Sequence, residues 1–153
     1  MKLKELLNLK DFKHRAVVTI APNDTISAAI EMLVKHDRSS LPVCSDKGEL
    51  VGIISERDLV RKFLTWADSS AKKTKVKDIM STELIIGNPD DDLNYAITVM
   101  KEKRIRHLPI VDNRKVIGVI SMRDLLGVQL EETNTHARFL SDYISGGYAH
   151  PTS

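Results

Sequence analysis

The feature that most constrains this chain is that it contains one pattern twice. Laying Ala21-Pro22-Asn23-Asp24-Thr25-Ile26 over Asn88-Pro89-Asp90-Asp91-Asp92-Leu93 sets an offset of 67 residues. At that offset Ala29-Ile30 falls on Ala96-Ile97, and Leu41-Pro42-Val43 on Leu108-Pro109-Ile110. After a one-residue deletion the offset becomes 66, and Val51-Gly52-Ile53-Ile54-Ser55-Glu56-Arg57-Asp58-Leu59 falls on Ile117-Gly118-Val119-Ile120-Ser121-Met122-Arg123-Asp124-Leu125. A leader recurs as well: Leu3-Lys4-Glu5-Leu6-Leu7 echoes Val76-Lys77-Asp78-Ile79-Met80. Chance does not easily keep so many matches in phase. Each unit is too long for a common solenoid repeat and too short to bury a good core alone, so two units packed face to face are the expected solution.

Each unit reads as β-α-β-β-α. Ala16–Ile20 is β-branched and stopped by Pro22, which predicts a strand. From Thr25 to His36, Ile26, Ala29, Ile30, Leu33 and Val34 fall on one helical face, with Asp24 or Thr25 as cap. Leu41–Cys44 and Leu50–Ile54 read as strands joined by a turn, and a helix follows Ser55 with Leu59, Val60 and Phe63 on one face. The second unit gives strand Leu84–Ile86, helix Asp92–Arg104, strands Leu108–Val111 and Lys115–Ile120, and a helix from Ser121. The predicted class is α+β with α/β-like order, as a pseudo-two-fold pair. The expected division is 1–70 with the leader, 71–130, and 131–153 as a last helix over Glu131–Ser145 ended by Gly146-Gly147, with a loose tail. The polar stretch Asp68–Thr74 reads as the link.

Composition removes several classes. Lys plus Arg number 23 against 21 Asp plus Glu, which argues against a dedicated nucleic-acid binder. Aromatics at 5% are too few to supply stacking platforms. A single cysteine, Cys44, excludes an internal disulfide framework and a four-cysteine zinc site, and its strand position favours a buried hydrophobic role. No secretory signal or bilayer-length apolar run is found, so the expected location is cytoplasmic, with no membrane partner.

Chemistry concentrates in Gly-hydrophobic-Ile-Ser-x-Arg-Asp, present at Gly52–Asp58 and Gly118–Asp124. One reading is structural: Ser-x-x-Asp resembles a capping box, and Asp suits the positive end of a helix. The other is functional. A helix N-terminus offers free N–H groups to a phosphate, and a carboxylate there can accept from two ribose hydroxyls. The serine can donate to a phosphate or hydroxyl, and the glycine would let a ligand approach the backbone. The readings are compatible. The five histidines lack metal-ligand spacing, no nucleotide-binding glycine loop occurs, and no activated nucleophile can be assembled, so no catalytic residue, catalytic cofactor or metal is expected and the chain reads as a non-enzyme.

The paired units, with Leu-Pro-Val/Ile followed by Gly-x-Ile-Ser-x-x-Asp, resemble tandem CBS domains, also called a Bateman module. The resemblance covers about residues 1–130. Ser55-Glu56-Arg57-Asp58, Lys75–Met80, Arg104–His107 and Tyr143–Tyr148 are particularly similar to stand-alone two-CBS proteins. It implies a regulatory module that binds an adenosine ligand between the repeats: AMP foremost, with ADP, ATP, NAD(H) or S-adenosylmethionine also used in the family. It marks Ser55, Arg57 and Asp58 in one cleft and Ser121, Arg123 and Asp124 in the other, with Asp toward ribose. Ile20, Ala21, Gly87 and Asn88 are the matching adenine-side positions. The residues before Leu-Pro often reach phosphates; here they are Ser39-Ser40 and Arg106-His107, which predicts unequal sites. The family geometry suggests that Arg106 and His107 share a cleft with Asp58. A homodimer and an unidentified regulated protein are the implied partners. The competing reading is a protein-interaction or thioredoxin-type redox regulator in which ligand binding is secondary.

Overall fold

Where each helix begins and ends follows from its flanking residues. The computed structural model describes residues 1–64 and 72–132; most of the expected link, the last helix beyond Glu132, Gly146-Gly147 and the tail lie outside the described residues. A short leader helix, α1 (Leu3–Leu7), opens the chain. In the first repeat α2 spans Ile26–His36, β1 Ser40–Cys44, β2 Leu50–Ser55 and α3 Glu56–Phe63. In the second, α4 spans Leu93–Lys103, β3 His107–Asp112, β4 Lys115–Ser121 and α5 Met122–Glu132. The second leader, Val76–Asp78, is a single 3-10 turn.

Thr25 is the cap of α2, its Oγ1 accepting from the Ala28 N–H at 3.2 Å, while the Asp24 carboxylate accepts from Ala21 N–H. Helices α2 and α4 both stop on a non-glycine residue in the left-handed region, Asp37 (φ 51°) and Arg104 (φ 55°). The chain then doubles back, with Arg38 N–H on Leu33 O and Ile105 N–H on Met100 O at 2.9 and 3.0 Å. That turn delivers Ser39 and Arg106 to equivalent places just ahead of the strands.

Each repeat carries an antiparallel hairpin, β1 with β2 and β3 with β4, and both have a bulge at the same step, Val43/Cys44 and Ile110/Val111. The first strands expected from the β-branched runs do not form. From Ala16–Ile20 only Ile20 bridges β1, parallel to Val43; no residue of Leu84–Ile86 pairs, and the residue after it, Gly87, bridges β3, parallel to Ile110. Ile20 N–H bonds Pro42 O and Gly87 N–H bonds Pro109 O. The next ladder bond upstream would need the N–H of Pro42 or Pro109, which proline lacks. Propensity for strand is present, but the partner's donor is missing.

The core is two clusters with an exchange between them. Ile26, Ala29, Leu33, Leu41, Val43, Ile54 and Leu59 pack together, and Val76 joins them from the second leader. Leu93, Ala96, Met100, Leu108, Ile110, Ile120 and Leu125 form the other, joined by Leu3, Leu6 and Phe12 from the first leader and the turn after it. The exchange is symmetric in detail. Leu3 N–H bonds Asp91 O and Lys4 N–H bonds Pro89 O, while Val76 N–H bonds Asp24 O and Lys77 N–H bonds Pro22 O. Each leader therefore lies across the helix start of the other repeat. Leu3 and Leu6 are fully buried there, which stabilises the docking by roughly 1.5–3 kcal/mol per side chain.

The motif glycines follow from this exchange. A Cβ on Gly52 would lie 2.5 Å from Met80 Sδ and 3.1 Å from Ser81 O; one on Gly118 would lie 2.7 Å from Leu7 Cδ2. Their nearest neighbours are the exchanged leader segments, so the close approach expected of a ligand is made by the protein itself. On α3, Leu59 alone of the expected apolar face is buried; Val60 and Phe63 are 64% and 70% exposed.

Candidate functional site

Two clefts lie between the repeats, and each takes a helix start from one repeat and the pre-strand turn from the other. The first, about 460 Å³, has Ser121, Arg123 and Asp124 on one side and Arg38, Ser39 and Ser40 on the other. The second, about 590 Å³, sets Ser55, Arg57 and Asp58 against Arg104, Arg106 and His107. Arg106 and His107 therefore line the same cleft as Asp58.

The helix starts are built by the capping box. Ser55 N–H donates to Asp58 Oδ2 at 2.9 Å, Ser55 Oγ donates to the same oxygen at 3.0 Å, and Asp58 N–H donates to Ser55 Oγ at 3.2 Å. In the second repeat Ser121 N–H donates to Asp124 Oδ2 at 2.9 Å and Asp124 N–H to Ser121 Oγ at 3.0 Å. The structural role of the motif is thus met in both copies, and in both the aspartate also lines a cleft. Capping and cleft lining are compatible because a carboxylate has two oxygens, and the cap uses one.

The positions expected on the adenine side are placed differently. Ile20, Ala21, Gly87 and Asn88 line neither of these clefts. Their backbone groups are committed: Ile20 and Gly87 to the parallel bridges, Ala21 N–H to Asp24 and Asn88 N–H to Asp91. The walls come instead from residues just upstream, Ala16, Val17 and Val18 in the first cleft and Leu84 and Ile85 in the second. These are the segments that Pro42 and Pro109 keep out of the ladders. A strand prediction concealed them; the prolines in Leu-Pro-Val/Ile were the available signal.

The clefts match in charge balance, the first setting Lys13, Arg15, Arg38 and Arg123 against Asp37 and Asp124, and differ in how the charges are paired. The second gathers Arg57, Arg61, Arg104, Arg106 and Arg123 around Asp58, with Glu56 and Glu83 as the other acids. In the first, Arg15, unmarked by the repeat, donates from Nη1 to Asp124 Oδ2 at 3.0 Å and from Nη2 to Asp124 Oδ1 at 3.2 Å. Burial by itself would push the Asp124 carboxyl up; the Arg15 hydrogen bonds and charge, with the Ser121 backbone N–H, overcome this and hold it below the usual carboxylate range. Between the clefts, Ser39 Oγ and His107 Nε2 share a 2.6 Å hydrogen bond, and both residues line both cavities. Burial pushes the His107 imidazole below its ordinary value, against the pull of Asp124 and Glu56 and with a smaller push from Arg106.

Cys44 is buried in β1, and burial raises its thiol above the ordinary range, the condition of a packed rather than a reactive cysteine. Among the described residues no group of three or more His, Cys, Asp or Glu could hold a metal ion, and no helix is long and apolar enough to cross a membrane.

Comparison with known proteins identifies the family and the fold. The family model described as CBS domain matches twice, at residues 9–65 and 76–131. The CBS domain-containing protein YhcV of Bacillus subtilis is 36% identical over 118 residues, which are 77% of this chain and 82% of YhcV. The crystal structure of the CBS-domain containing protein ATU1752 from Agrobacterium tumefaciens is 28% identical with a TM-score of 0.74, covering 84% of this chain and 99% of that one. A structure of CBSX2 in complex with AMP shares the fold at 24% identity and a TM-score of 0.70, covering 86% and 98%.

Proposed function

The chain belongs to the CBS-domain family, and from that premise we propose that it is a non-enzymatic sensor whose inter-repeat clefts bind an adenine nucleotide and whose occupied state alters contacts with a partner protein. One observation carries this reading: the second cleft opposes a helix-start carboxylate, Asp58, to the cationic pair Arg104 and Arg106 of the other repeat. A carboxylate there suits a ribose diol, and guanidinium groups suit phosphate. The apolar lining residues Ile53, Leu84, Ile85 and Pro109 of the same cleft suit a base. AMP is the preferred candidate, and it is the ligand named for CBSX2, a protein of the same fold; ADP, ATP and NAD(H) present the same adenosine unit.

Calorimetric titration with AMP tests the reading. Saturable binding that Asp58→Asn weakens by about tenfold or more, the scale of a lost charge-assisted hydrogen bond, is the expected result. Asp46→Asn, in the turn between β1 and β2 and outside both clefts, is the control. Absence of binding by AMP, ADP, ATP and NAD(H) alike overturns the reading.

The proposed assembly is a homodimer. Val34 on α2, Val60 on α3 and Leu126 on α5 are large apolar side chains left 77%, 64% and 48% exposed in the single chain. A concentration-independent monomer mass by light scattering would count against it. The cytoplasm is the proposed location.

A further inference from the structure

Arg15 has no counterpart in the second repeat, and it is where the two clefts part. We propose that Arg15 is a resident occupant of the first cleft, holding Asp124 away from ligand, so that the second cleft fills first and the first fills only when Arg15 is displaced. The proposal rests on the reading that each helix-start aspartate is a ribose acceptor.

The pair is bidentate, with one guanidinium nitrogen on each carboxylate oxygen, at 3.0 and 3.2 Å. Asp124 Oδ2 also accepts from Ser121 N–H, so both its oxygens are committed. The side chains are only 38% and 17% exposed, so solvent screens the pair less than a surface ion pair. Arg15 is also held from behind. Its guanidinium lies 4.4 Å over the Phe12 ring, and Phe12 is buried in the second repeat's core. The next carbonyl, Ala16 O, accepts from Arg38 Nη2 at 3.0 Å, which fixes the backbone on the other side.

Pseudo-symmetry supplies the contrast. At the offset of 67 residues the position matching Arg15 is Thr82, whose short, neutral side chain offers no bidentate donor. Asp58 accordingly accepts from Ser55 alone and makes no ion pair among the described residues. A vicinal diol offers two neutral donors. Against a planar, charged fork already docked on the same carboxylate it is the weaker partner. Asp58 is open to that diol and Asp124 is not.

Isothermal titration of AMP into the full chain, Arg15→Gln, Arg15→Gln with Asp124→Asn, and Asp58→Asn tests this. The expected wild-type isotherm has one tighter site, weakened by about tenfold or more in Asp58→Asn. Arg15→Gln should tighten a second site by at least about tenfold, the scale of releasing a charged hydrogen bond, and adding Asp124→Asn should remove it. Arg15→Lys, which keeps the charge but not the fork, should lie between, and a wild-type circular dichroism spectrum with one cooperative melt verifies the fold of each variant. If Arg15→Gln leaves the isotherm as in the wild type while the Asp58-dependent site persists, the inference falls and the functional reading stands. Loss of first-cleft binding in Arg15→Gln also overturns it, by making Arg15 a ligand contact. If neither protein binds AMP or another adenine nucleotide, the functional reading falls and takes this one with it.

Discussion

Ser39 Oγ lies 2.6 Å from His107 Nε2, across 68 residues of sequence, and this hydrogen bond joins the two repeats between their clefts. Neither residue is the repeat partner of the other: Ser39 matches Arg106, and Ser40 matches His107. The contact therefore breaks the pseudo-symmetry at its centre. It places where both clefts meet an imidazole whose charged form burial disfavours.

That geometry has a pH consequence. The folded His107 has a pKa below its unfolded value, so the unfolded chain takes up the proton first as pH falls. His107 should contribute its full stability above about pH 6.5, the ordinary histidine value, and lose it progressively below, until the folded imidazole also titrates. Chemical denaturation between about pH 8 and about pH 5 measures this, and His107→Gln should flatten the curve relative to the wild type. Imidazole NMR should give His107 a midpoint below about 6.5; a midpoint above that value would reverse the sign and discard the burial argument.

Removal of Arg106 should separate phosphate from nucleoside recognition. Arg106 lines the second cleft and makes no ion pair among the described residues. Arg106→Ala is expected to weaken AMP by about tenfold while leaving adenosine within about twofold, since the charge-assisted contact is to phosphate. Equal losses for both ligands would assign Arg106 a structural role.

The leader exchange makes a stability prediction that sequence order does not. Leu6 is fully buried among second-repeat residues. Leu6→Ala should cost about 2–5 kcal/mol in urea unfolding. Hydrogen exchange should show the loss first in β3, β4 and α4, which lie in the half that Leu6 enters. Protection lost first in α2 and β1 would contradict the exchange.

Much of the scaffold is written in local pattern. The two phased copies, the periodic face of α2, the hairpins and the Ser-x-x-Asp starts of α3 and α5 each depend on residues within a few positions of one another, so short-range sterics and hydrogen bonding specify them. The strand predicted for Ala16–Ile20 shows the limit. Its β propensity is real, but pairing needs a donor on another segment, and Pro42 has none. The wall of the first cleft consequently comes from Ala16, Val17 and Val18, a few positions ahead of Ile20 and Ala21.

By itself the sequence determined the repeat, the order of elements within it and the carboxylate at each helix start. The tertiary structure alone decided that each leader packs into the other half and that Arg15 sits on Asp124, 109 residues away. Such pairings are set by burial and charge between distant segments, and no spacing in the chain encodes them. Two near-identical motifs thus end with different partners, because a single arginine outside the repeat pattern reaches one carboxylate and not the other.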